Sequence, residues 1–185
     1  YAARMLRKAT IKSQKQLIVD MLAYGAAAQE YLDYNTENPV TNLLTEAEKA
    51  TINTVVDMTP VLTQGSHHAG SNLTIKSNII FQIALKNVTD DMTVVATYTT
   101  HKGEKVTVDT YTVQGSMKVL VFDMMVVSDA RMPITVTISN ADGVVQEFQE
   151  SIADYLGRQA NAGDVFKAVM IFSDSAYAYL HRDFA

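Results

Sequence analysis

The sequence predicts a mainly β fold, an antiparallel β-sandwich with flanking α-helices, and three observations predict it. Through the middle of the chain, short period-two hydrophobic segments recur about every ten residues, divided by turns of Gly, Asn and Asp. Long helical periodicity is confined to the two ends. Those ends also repeat one another, so two related helices bracket the sheet region.

The repeat pairs Tyr1-Ala2-Ala3-Arg4, Leu17-Ile18 and the run Met21 to Leu32 with Tyr155-Leu156-Gly157-Arg158, Val165-Phe166 and the run Val169 to Leu180. Ala28/Ala176, Tyr31/Tyr179 and Leu32/Leu180 are identical, and Tyr24 aligns with Phe172. The Tyr-x-x-Arg pieces match only with a shorter connection in the second copy. A chain that opens on the closing phrase of its own module is expected to come from a tandem array.

From Ser13 to Tyr34, Leu17, Met21, Tyr24, Ala28 and Tyr31 recur at steps of three and four, which predicts a helix. Ser13 with Gln16 is the expected capping box. The small residues Gly25 to Ala28 would admit a neighbouring helix closely. Asn35 to Asn42, with Pro39, breaks the pattern, and Thr45 with Glu48 caps a short helix. Strands are expected at Ile79 to Lys86, Thr93 to Thr100 and Val106 to Val113. In the last of these the apolar phase slips between Val108 and Tyr111, as at a bulge. Met117 to Met124, Ile134 to Ile138 and Val144 to Gln149 complete the set. A second helix runs from Val165 to Arg182, with Asp164 as its expected N-cap. A helix apolar over so wide a face must be covered, so the two long helices should pack side by side or against the sandwich end. The expected division is 1–34, a helical segment of this module or of a preceding repeat; 35–150, the β-sandwich; and 151–185, a C-terminal helical segment.

With 185 residues, 48% of them hydrophobic and 19% charged, the chain can bury a substantial core. A net charge of −5 argues against nucleic acid, whose phosphates call for clustered cations. The basic stretch Arg4 to Lys15 reads as a solvated helix face. No apolar run is long enough to span a membrane. The absence of cysteine removes disulfides, thiolate zinc sites and cysteine nucleophiles.

Catalytic chemistry finds little purchase, and no cofactor or metal is expected. His67-His68 lacks a third ligand within sequence reach and reads as a polar loop. Asp90-Asp91 reads as a solvated turn without calcium-loop spacing. Neither a nucleophile elbow nor a phosphate loop is present, and nothing nominates a glycosidase carboxylate pair among the twenty acids. Asn72-Leu73-Thr74 and Asn87-Val88-Thr89 match the glycosylation sequon. Without Trp, Tyr98 and Tyr111 are the strand tyrosines able to offer a ligand a face. Met124, Met125 and Met132 mark a stretch, Phe122 to Pro133, too apolar for a simple loop. It suits a turn tucked over the sandwich, or an adaptable surface for protein recognition.

The run Leu22-Ala23-Tyr24-Gly25-Ala26-Ala27-Ala28-Gln29-Glu30-Tyr31-Leu32 resembles a helix motif of repeated modules in secreted surface proteins of gut Firmicutes. The break Tyr34 to Asn38, the helix Leu44-Thr45-Glu46-Ala47-Glu48, the phrase Gly70 to Lys76 and the copy Tyr155 to Leu180 extend the resemblance over the whole chain. The second copy departs, with Ser173-Asp174-Ser175 where the motif has Gly-Ala-Ala. Some such modules resemble superantigen-like proteins that bind immunoglobulin variable domains. The resemblance implies an extracellular, secreted or cell-wall-associated module that is not an enzyme and whose partner is a host protein such as immunoglobulin Fab. A carbohydrate-binding module with a glycan partner, or a passive spacer, is the alternative. The shared motif is scaffold and carries over no binding residue.

Overall fold

The computed structural model describes residues 2–75, 79–159 and 163–182. They fall into two compact units, a helical one of residues 1–58 and 160–185 and a sheet unit of residues 59–159. The chain is 35% helix and 28% strand, so the class is mixed α/β rather than mainly β. Short helices account for part of the difference, since one or two turns leave no readable periodicity. The long stretch 35–58, expected to join the sandwich, lies instead with the helices.

In the helical unit, α1 (Ala2–Lys8) leads into α2 (Lys12–Tyr31), and α3 (Glu46–Lys49) follows a 3-10 turn at Val40–Leu43. Leu6, Ala9, Ile18, Val19, Leu22 and Leu44 are its buried core. Thr45 and Glu48 form the expected capping box, each side chain bonding the other's backbone N–H. Arg7 reaches the same Glu48 carboxylate at 2.5 Å. The capping box expected at Ser13 is absent. Ile11 is the N-cap, and the Gln16 amide donates to Asp20 and to the carbonyl of Thr51 instead. Gly25 does provide a close approach, but to Val40: an added Cβ would lie 2.9 Å from Val40 Cγ2. Gln29 secures that turn, accepting from Val40 N at 2.7 Å while its amide faces the carbonyls of Asn35 and Asn38.

The last helix of this unit, α5 (Asp164–Leu180), has Gly163 as its N-cap, with Asp164 in the first turn where it favours the helix dipole. It packs alongside α2. Tyr24 stacks on Phe172 at 5.7 Å between centroids, Tyr31 meets Phe166 at 5.9 Å, and Ser175 meets Asp20 at 2.5 Å. The partners advance in opposite directions, so the helices are antiparallel. Tyr24 and Phe172 hold equivalent places in the repeat, so their pair marks a local two-fold relation between the two helices.

In the sheet unit, β1 (His68–Ile75), β2 (Ile79–Leu85), β3 (Thr93–Thr99), β4 (Lys105–Val108), β5 (Thr112–Gln114), β6 (Met117–Phe122), β7 (Ile134–Asn140) and β8 (Gly143–Glu150) are followed by α4 (Ile152–Gly157). The strands form two antiparallel sheets, ordered β1-β2-β6-β5 and β4-β3-β7-β8. Lettered along the chain, these orders are A-B-E-D and C′-C-F-G, the arrangement of immunoglobulin-type sandwiches. Phe81, Ile83 and Leu85 of β2 and Val136 and Ile138 of β7 are buried by alternation, as are Leu120 and Phe122 of β6, where Lys118 and Val119 are buried as well. Tyr98 meets Phe122 edge-on across the sheets, and Tyr155 of α4 packs on Phe81. The phase slip between Val108 and Tyr111 is not a bulge in one strand. There the chain leaves one sheet as β4 and enters the other as β5.

The Asp20 carboxylate is fully buried and accepts from Gln16, from both the backbone and side chain of Asn53, and from Ser175. Removing it strands these donors, so Asp20→Ala is expected to lower the stability of the helical unit by about 2–3 kcal/mol. Urea unfolding followed by circular dichroism at the helix band checks this. An unchanged midpoint would mean that the bonds have no net effect.

Candidate recognition surfaces

The sheet unit ends in polar clusters that must be assigned before any surface. Glu150 is fully buried on the last residue of β8. Its Oε2 accepts from Gln64 at 2.9 Å, from Ser71 Oγ at 3.0 Å and from Arg158, and its Oε1 accepts from Ser151 N at 2.9 Å. His68 Nε2 lies 2.9 Å from the same Ser71 oxygen. Because the serine gives its proton to Glu150, the imidazole must donate to it through Nε2–H. That is the reverse of nucleophile activation, in which the imidazole accepts from the serine. His68 is therefore not part of the polar loop read from the sequence. It opens β1, its side chain is 7% exposed, and its ring meets Phe148 edge-on.

A second histidine cluster closes the opposite connection. Asp129, 1% exposed, accepts from His101 N at 2.8 Å and lies 2.7 Å from His101 Nδ1. Ser128 Oγ approaches that same nitrogen at 3.0 Å. Acid and serine meet one ring atom, so no proton can be relayed through the imidazole from one to the other. The cluster pins the β3–β4 turn to the β6–β7 connection, and Ala153 N donates to Ala130 O beside it. This is the apolar stretch Phe122 to Pro133, tucked in as a turn.

The five sequence-nominated residues do not converge. Tyr98 is 4% exposed, and burial, with Asp129 adding to it, pushes its phenol above the ordinary range. It is a core residue and offers no platform, because β3 turns that face toward the opposing sheet. Met125 is likewise buried at 4%. Met132 is half-buried, whereas Met124 is exposed. Tyr111 keeps a half-exposed ring where the chain crosses between sheets, with Lys118 Nζ 4.8 Å from its centroid. That ammonium also donates to Thr89 O at 2.9 Å and lies 3.6 Å from Asp90, whose carboxylate stays fully exposed, so the acidic turn is solvated as read from the sequence.

Three surfaces escaped the sequence reading. The first is β5, a terminal strand of three exposed, uncharged residues, with Val113 68% exposed beside Tyr111 and Met117. The second is a groove of about 370 Å³ on the sheet unit, lined by Gly70, Asn72, Gln82, Ala84, Gln114 and Met117 among others. The third is an open cavity of about 630 Å³ in the helical unit, bordered by Ile11, Lys12, Gln16, Asn53, Ile171 and Arg182 among others. The outward alternation of Gln82 and Ala84 was readable. The neighbours that complete each surface come from distant strands and helices and carry no local signal.

Among the described residues, no cluster of three or more His, Asp or Glu could hold a metal ion, and no helix is long and apolar enough to cross a membrane. No protein-family model, curated protein or solved structure matches the chain.

Burial holds the folded-state pKa of His68 below its ordinary 6.5; Arg158 and Lys86 add to the shift, while Glu150 opposes it. The unfolded chain then binds the proton first. Stability contributed by neutral His68 is present above the unfolded pKa and is lost as pH falls through and below about 6.5. Urea midpoints measured from pH 8 to 5 should decline toward the acid side, and His68→Gln should flatten that decline. Identical slopes for the two proteins would remove His68 as the cause.

Proposed function

We propose that this chain is a non-catalytic, extracellular recognition module of a secreted or cell-wall-associated bacterial protein. Its partner is a host protein, most specifically the variable region of immunoglobulin Fab. The observation that carries this reading is β5. Sheet edges invite a partner's strand, and proteins ordinarily blunt them with charge. The edge strand β4 follows that practice, with Lys102, Glu104 and Lys105 at or beside it, whereas β5 presents Thr112, Val113 and Gln114. Strand addition supplies backbone hydrogen bonds, and Tyr111, Val113 and Met117 supply apolar contact. An immunoglobulin domain offers sheet edges of its own, and a tandem array would multiply weak single contacts by avidity.

The buried polar groups support the non-catalytic part. Asp20, Asp129, Glu150 and Asp154 are each engaged by donors from other parts of the chain, and neither histidine cluster has the geometry of an activated serine.

Biolayer interferometry of immobilised chain against pooled human Fab tests the reading. Binding restricted to certain variable-region families, weakened at least tenfold by Val113→Lys, is expected. Silence toward Fab by the folded wild-type chain would defeat the immunoglobulin assignment. Binding indifferent to Val113→Lys would move the interface away from β5.

A further inference from the structure

We propose a second binding site, on the outer face of the β1-β2-β6-β5 sheet, for an uncharged oligosaccharide. Strand register builds its floor. Gly70 pairs with Ala84, and Ala84 pairs with Val119, giving a row of short side chains across β1, β2 and β6. An added Cβ at Gly70 would meet nothing within 4 Å, so the trough stands open above it. On one side the next row places Asn72 opposite Gln82, and on the other Gln114 pairs with Met117. The resulting volume of about 370 Å³ falls within the roughly 300–1,000 Å³ of small-ligand pockets.

The chemistry of the lining selects the ligand. Asn72 Nδ2 donates to Gln82 Oε1 at 3.1 Å, which orients both amides and leaves the Gln82 NH₂ and the Asn72 carbonyl for a ligand. Among the described residues, the Gln114 amide has no hydrogen-bonding partner. Amides present donors and acceptors together, and so do the vicinal hydroxyls of a sugar. Met117, with Val119 largely buried in the floor beneath it, gives the C–H face of a pyranose an apolar contact. Among the described residues no ionisable side chain lines the groove, although the chain carries 15 Lys and Arg and 20 Asp and Glu. A sialylated or uronic sugar would find no counter-charge there. An extended peptide fits poorly, because the backbone groups of β2 and β6 beneath the trough are already paired in the sheet.

The side-chain NH₂ resonances of Asn72, Gln82 and Gln114 report on the site directly in ¹⁵N-correlation spectra. The chain would be titrated with neutral hexose and N-acetylhexosamine oligosaccharides, with sialylated and uronic oligosaccharides, and with an extended Thr/Val-rich peptide. The expected result is movement of those three signals with a neutral oligosaccharide, at affinity at least tenfold better than for acidic ones. Gly70→Leu, whose Cβ would enter open space and whose branch would fill the trough, and Gln82→Ala should each weaken it at least tenfold while leaving the rest of the spectrum folded. No movement with any neutral sugar at millimolar concentration overturns the proposal, as does equal movement with the acidic sugars or the peptide. Gln114 and Met117 border both surfaces, but Gly70 and Gln82 lie on β1 and β2 away from the β5 edge, so both variants should leave a Fab response intact and the two readings fail separately.

Discussion

The constraint on which much of the structure depends is the stretch from Ile52 to Ser66, which runs through no helix and no sheet. Its backbone N–H groups cannot go unpaired where they are shielded from water, and no ladder is available to take them. Side chains answer from each unit separately. In the helical unit Asp20 accepts the N–H of Asn53 at 3.1 Å. In the sheet unit Asp154 Oδ1 accepts the N–H groups of Val61 and Leu62 at 2.5 and 2.7 Å, and Gln146 accepts that of His67 at 2.9 Å. Gln64 adds its own amide to Glu150. A carboxylate is suited to this work because it presents several lone pairs and bonds more strongly than a neutral acceptor. The buried acids are thus placed where irregular backbone needs fastening.

The same acids fasten the junction between the last strand and the helix that follows it. Asp154 also accepts from the Ser151 hydroxyl at 2.8 Å while Ser151 caps the N-terminus of α4. Glu150, one residue earlier, gathers β1, the connecting stretch and Arg158 onto the end of β8. Neither oxygen pair is left facing a cleft. Together they tie the end of β8 to the start of α4.

Much of the fold was legible because alternation and helical periodicity are local. Strands β2, β3, β6, β7 and β8 and the capping box at Thr45 follow from residues within a few positions of one another, whereas β1 carried no such signal and the repeat left open whether its helices would pair with each other or cover the sheets. What was not legible depended on partners far along the chain. Gln16 abandons Ser13 because Asp20 and the carbonyl of Thr51 offer better acceptors. Tyr98 alternates as a strand residue should, but which face meets the other sheet is decided by β6, where Phe122 waits for it. His67-His68 carries no local mark that its second ring will enter a network with Ser71 and Glu150. The break at Asp109-Thr110 was visible as a slip of phase, yet only the pairing of Thr112 with Val119 identifies it as a change of sheet.

The Ser173-Asp174-Ser175 departure from the first copy shows how a repeated helix acquires a separate role. In α2 the corresponding Gly25 makes room for Val40, and Gln29 then fastens the turn that follows. In α5 Ser173 is buried with its hydroxyl unpartnered among the described residues, while Ser175 donates to Asp20, so one of the small-residue positions serves the other helix's carboxylate instead. The stacked pair Tyr24 and Phe172 tolerates this divergence because it lies at the local two-fold, where a change in either copy faces its own counterpart. Symmetry at that point and asymmetry around it allow one helical phrase to serve twice. One copy organises the segment after it, and the other locks the carboxylate on which the first depends.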